Sequence, residues 1–139
     1  MPNIFNDGTQ VDQIIFDDIS IASASSKTSD FMVVPALYTG RLEVVLMGGS
    51  TDCVLATNPA TVDIIYYGKS KGSAIHTWET YVSISAGTYK KGKILTEFHI
   101  PYRKLKEVTN GDKVFYVKIK INYTESGSSG NLNAYLVWK

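Results

Sequence analysis

From Phe115 to Tyr123 the chain alternates without a break. Phe115, Val117, Ile119, Ile121 and Tyr123 fall on one parity, and Tyr116, Lys118, Lys120 and Asn122 on the other. A pleated strand sends successive side chains to opposite faces, so a period of two describes a strand with one face toward a core. Composition extends that reading to the whole chain. Ile 13, Val 12 and Thr 12 give 37 β-branched residues, against 16 for Ala and Leu together. Side chains stiff at χ1 favour strands, and good helix formers are scarce, so a helical bundle is excluded.

Shorter runs repeat the alternation. Ile15–Ile21 reads as a first strand, with an irregularity at Asp17-Asp18, and a Ser-rich turn follows at Ser23–Lys27. Phe31–Val34 is extended and stops near Pro35, which cannot donate to a ladder. Arg41–Met47 places Leu42, Val44 and Leu46 on one side of the pleat, and Gly48-Gly49 ends it. A short strand at Cys53–Thr57 precedes Thr61–Tyr67, which groups Val62, Ile64 and Tyr66. Thr77–Ser85 and Ile94–Ile100 come next, then one short helical turn at Tyr102–Glu107 and a turn at Asn110-Gly111-Asp112. After the long strand and a flexible Ser126–Gly130 loop, Leu132, Ala134, Leu136 and Trp138 alternate to the end.

With 139 residues and no internal repeat, one domain is expected. Residues 1–13 are polar and loosely patterned, an expected flexible N-terminal arm; residues 14–139 form the folded domain. About eight strands with half-buried faces suit an all-β, antiparallel sandwich of two packed sheets, jelly-roll-like in strand count. An immunoglobulin-like sandwich is the rival, but its Cys…Trp…Cys framework is missing.

Charge and cysteine usage exclude several classes. A net charge of +1 is wrong for a domain that coats nucleic acid. The single cysteine, Cys53, removes any disulfide framework or Cys-rich zinc site. The first residues carry no basic segment and no long apolar run, which argues against a secretory signal, and no apolar stretch approaches a membrane span. A soluble protein made and kept in a reducing cytoplasm is expected.

Chemistry is sparse. His76, His99 and Cys53 are the only candidate soft metal ligands, and no two have zinc-site spacing. Beside Val54 and Leu55, Cys53 reads as a small buried hydrophobe rather than a nucleophile. Asp17 and Asp18 would point to opposite faces of a regular strand and read as a bulge or turn. Glu79 and Glu97, on separate strands, fit a glycosidase pair or a surface pair equally well. No phosphate-binding loop, nucleophile elbow or HExxH is present. No enzyme, cofactor or metal is expected. Nine Tyr and two Trp could build a sugar-binding platform, though a sandwich uses most such residues in its core or sheet surfaces.

Residues 1–68 carry 2 basic and 8 acidic side chains, and residues 69–139 carry 12 and 5. Either strands from the two halves interleave and cancel this asymmetry, or a two-signed surface docks on a partner. Lys90, Lys91, Lys93, Arg103, Lys104 and Lys106 lie in expected loops and are the candidate docking residues. They lack interleaved aromatics, so nucleic acid is not the expected partner.

One family shares this layout. A short polar arm and a Ser-rich early strand precede Gly40–Leu46. Thr80-Tyr81-Val82-Ser83 with a Gly92 turn, Phe98–Tyr102, the long strand at Val114–Tyr123 and the ending Ala134–Val137 then follow. Over residues 14–138 this resembles the small jelly-roll cement, or capsid-decoration, proteins of tailed bacteriophages. The resemblance implies a non-enzymatic virion structural protein on the outer surface of a capsid. It further implies binding to the major capsid protein as a homo-oligomer, a dimer or trimer, with no cofactor and no membrane. No family binding residue maps by motif, and the basic second half departs from the pattern. A carbohydrate- or receptor-binding module of a phage tail is the other expectation.

Overall fold

The computed structural model describes residues 10–35, 42–68, 71–100 and 114–138. Every regular element among them is a strand: β1 (Gln10–Ser20), β2 (Ser26–Thr28), β3 (Met32–Pro35), β4 (Leu42–Gly48), β5 (Cys53–Leu55) and β6 (Ala60–Gly68), then β7 (His76–Ile84), β8 (Gly87–Tyr89), β9 (Ile94–His99), β10 (Val114–Asn122) and β11 (Asn131–Trp138). The helical turn expected at Tyr102–Glu107 lies outside the described residues.

Two antiparallel sheets carry the fold, ordered β1-β11-β4-β9 and β2-β10-β6-β7, with β3 also paired to β10. β2 and β3 are one strand interrupted at Ser29–Phe31, both lying along β10. Ser29 holds the interruption together. Its N–H donates to the Ile119 carbonyl at 2.8 Å, and its hydroxyl accepts from the Ile119 N–H at 2.9 Å. Counting that pair as one and setting aside the short strands β5 and β8, the sheets contain the first, eighth, third and sixth strands, and the second, seventh, fourth and fifth. This is the winding of a jelly roll, an all-β antiparallel sandwich. The immunoglobulin-like alternative falls on this strand order. The three-residue strands β5 and β8 pair with each other as a small flap, and runs that short carry almost no periodic signal.

The core is the set of inward residues that alternation selected. Val44, Leu46, Val62, Ile64, Val117, Ile119, Ile121, Leu132, Ala134 and Leu136 are each 0% exposed. The side chains of Leu42, Phe115 and Trp138 lie outside the described residues. Two expectations need correction. β4 is buried on both faces, because Val45 and Met47 join Val11 and Val137 in a second apolar cluster on the outside of the first sheet. Lys118 and Lys120, on the outward parity of β10, are half-buried rather than fully exposed, and Lys118 lies against the Phe31 and Tyr67 rings.

Residues 10–13, expected in the arm, belong to the sandwich. β1 begins at Gln10, and Val11 is buried. Three register shifts along β1 hid these residues from a period-two reading. Gln13 bridges the two sheets: its Nε2 donates to the Val33 carbonyl at 2.7 Å, and its Oε1 accepts from the Val33 N–H at 2.9 Å. One side-chain amide thereby does for the open edge of β3 what a neighbouring strand would do, and blunts it against further pairing. The Asp17-Asp18 irregularity is a bulge as expected, with Asp18 at φ 50°.

Ile119→Ala should lower unfolding free energy by about 2–5 kcal/mol, whereas Lys120→Ala should stay within about 0.5 kcal/mol. Urea denaturation of both variants checks this, and similar losses would show that the two faces are misassigned. In the same assay Gln13→Ala should cost about 1–2 kcal/mol for its two hydrogen bonds. An unchanged midpoint would mean that water serves the β3 edge equally well.

Candidate functional site

The loops β1–β2, β4–β5, β8–β9 and β10–β11 gather at one end of the sandwich. Lys90, Lys91 and Lys93 sit there, exposed, between β8 and β9. Their loop is laid flush on Gly48. The Gly48 N–H donates to the Lys93 carbonyl, the Gly92 N–H donates to the Gly48 carbonyl, and a Cβ on Gly48 would come 2.3 Å from the Lys90 carbonyl oxygen. Only glycine allows that approach. Lys93 Nζ lies 5.4 Å from the Tyr89 ring centroid. Arg103, Lys104 and Lys106 lie outside the described residues.

Asp18 organises the neighbouring loops. Its Oδ1 accepts from the Ser50 N–H at 2.7 Å, its N–H donates to Asn133 Oδ1 at 2.7 Å, and its carbonyl accepts from Asn131 Nδ2 at 2.9 Å. The hydrogen bonds from Ser50 hold its carboxyl below the usual carboxylate range, with smaller help from Asn131 and the Lys91 charge. Beside it, Ser50, Thr51, Asp52, Val54 and Ser129–Asn131 line an open, shallow depression. Gly130, at φ 90° and packed on the Asp52 carbonyl, admits no side chain.

The residues singled out for chemistry are not brought together as a site. Cys53 is fully buried in β5, His76 stands exposed on β7, and His99 on β9 pairs with Glu43 across β4. His99 Nε2 lies 3.2 Å from Glu43 Oε1. Glu79 and Glu97 are exposed on strands of different sheets. Among the described residues no three of His, Cys, Asp and Glu gather to hold a metal, and no helix is long and apolar enough to cross a membrane.

A cluster that the loop-by-loop reading missed occupies the outer face of the second sheet. Tyr116 and Lys118 project outward from β10, Tyr67 from β6, and Phe31 precedes β3. Phe31 meets Tyr67 edge-on at 4.8 Å and Tyr116 at 6.0 Å. Lys118 Nζ lies 4.3 Å from the Phe31 centroid and 5.4 Å from that of Tyr67. Lys71 Nζ lies 4.6 Å from the Tyr116 centroid and 5.4 Å from that of Phe31. The usable signal was Tyr116-x-Lys118 on the outward parity of the clearest strand. Phe31 and Lys71 carried none, because only the sheet brings them there.

No protein-family model and no curated protein sequence matches the chain. A solved chain described as "Structure of infectious bursal disease virus Gx strain" is similar at 15% identity and a TM-score of 0.48, over 95% of this chain and 32% of that one. A likeness this distant says nothing of what the present chain binds.

Burial pushes the Cys53 thiol up to about 11. Burial, then the Cys53 and Glu125 charges, pushes the Tyr123 hydroxyl up to about 12, and that hydroxyl donates to the Ile21 carbonyl at 2.8 Å. The fold favours both neutral forms, while the unfolded chain releases these protons at lower pH. Their contribution to stability is therefore complete below the ordinary thiol value of 9.0 and is lost as pH climbs to about 11 for Cys53 and 12 for Tyr123. Iodoacetamide should leave native Cys53 unmodified and label it in urea. The urea midpoint should be lower at about pH 10.5 than at about pH 8, and the drop should be smaller in Cys53→Ala. Rapid labelling of the native thiol would contradict its burial.

Proposed function

We propose that this protein is a non-enzymatic virion structural protein, a capsid cement subunit that binds the major capsid protein and stabilises the head from outside. The observation that carries the reading is the jelly roll itself, whose inward residues form one buried apolar cluster. With the inward faces of β4, β6, β10 and β11 packed against one another, recognition is left to the outer faces and loops, as a decoration role requires. The layout resemblance to phage cement proteins points the same way. The mechanism is mass action: a chain that binds only the assembled shell stabilises it by its binding free energy. Dimers or trimers would multiply such contacts without new kinds of surface.

The outer-face aromatics favour a second reading, a glycan- or receptor-binding module. It is the weaker one. Stacking a sugar needs an open ring face, and ammonium groups already lie over Phe31, Tyr67 and Tyr116.

Mass spectrometry of gradient-purified virions from the virus that encodes the chain tests the proposal. The chain should appear in a fixed ratio to the major capsid protein, and particles made without it should rupture at lower temperature. Its absence from particles, or a ratio that varies between preparations, would overturn the reading.

A further inference from the structure

The geometry points to an anion-binding patch on the outer face of the second sheet, formed by Phe31, Tyr67, Lys71, Tyr116 and Lys118, that takes the carboxylates of an acidic protein segment. The assignment rests on the chemistry of the patch and is independent of the capsid reading.

Both ammonium groups lie over one ring, Phe31, at 5.4 and 4.3 Å from its centroid, so they stand within about 10 Å of each other. Each also has a second ring, Tyr116 for Lys71 and Tyr67 for Lys118. A lysine held over aromatic faces has already lost much of its rotamer freedom, so an incoming anion orders less on binding. Among the described residues no carboxylate forms a salt bridge with either lysine. The acids nearest in sequence and on the same face are engaged elsewhere. Asp30 Oδ1 accepts from the Phe31 N–H, while Asp63 accepts from the Thr80 N–H and from Asn122 Nδ2. Lys91, by contrast, already faces the Asp18 carboxylate, and its charge helps to hold that carboxyl low.

The occupant follows from what the rings cannot do. Bases and pyranoses need an open aromatic face, and here the ammonium groups cover the faces. A net charge of +1 on the whole chain gives a nucleic acid little further hold. Val33, 43% exposed and opposite Tyr116 on the neighbouring strand, extends the patch with apolar surface. Two cations beside an apolar strip match carboxylates interleaved with aliphatic side chains, the pattern of an acidic strand or loop of a partner protein.

The probe is a fluorescein-labelled peptide of alternating glutamate and leucine, followed by anisotropy against the full chain. It should bind, weaken as salt rises, and lose binding when glutamine replaces glutamate. Lys71→Gln with Lys118→Gln should weaken binding by about tenfold, and Lys90→Gln with Lys91→Gln by less than about twofold. Thermal melts monitor folding of both pairs; should Lys118→Gln perturb it, Lys71→Gln alone must still weaken binding. The proposal is overturned if the wild-type chain does not bind the peptide, if both lysine pairs cause equal loss, or if an oligogalacturonate binds more tightly. Virions lacking the chain, together with peptide binding that depends on Lys71 and Lys118, would remove the capsid reading and leave this site standing.

Discussion

Burial of one face of β10 against the inward faces of β4 and β11 is the constraint on which the molecule depends. Val117, Ile119 and Ile121 on one sheet and Val44, Leu46, Leu132 and Leu136 on the other are fully excluded from water. Each sheet alone would expose that face, so neither is stable without its partner. Because β10 and β11 come late in sequence yet occupy interior positions in their sheets, neither sheet can be completed until they arrive. Such non-local pairing delays the reward for loop closure and favours slow folding.

The same winding interleaves the acidic first half and the basic second half of the chain. β11 lies between β1 and β4, and β10 lies between the β2/β3 strand and β6. Second-half strands thus sit among first-half strands in both sheets, so the two halves of the chain do not form separate sheets. What remains is local: a lysine loop seated on Gly48 at one end, and a lysine–aromatic cluster on the outer face of the second sheet. Both features lie outside the buried apolar cluster that joins the two sheets.

Edges are managed by side chains. The amide of Gln13 occupies the free N–H and C=O of Val33, and three irregularities break the exposed ladder of β1. In the second sheet, β7 carries its own register shift, and Thr80 there adopts φ 49° with its N–H held by Asp63. A β-branched residue in that region is strained, so the bulge persists because the surrounding ladder fixes it. Bulged edges resist uncontrolled strand addition.

The sequence by itself determined the class of fold, most of the long strands and the inward face of each, because a pleat makes side-chain direction a strictly local property. Val62, Ile64 and Tyr66 could be assigned to the core, and Asp17-Asp18 to a bulge, from their neighbours alone. Partner choice between strands is not local, so only the tertiary structure decided that β10 and β11 are interior, that β4 is buried on both faces, and that Gln13 belongs to the fold rather than to an arm. The site divides in the same way. The basic loop at Lys90–Lys93 was legible as a run of like residues. The cluster joining Phe31, Tyr67, Lys71 and Lys118 was not, because its members are scattered along the chain and meet only when β10 is laid between β3 and β6.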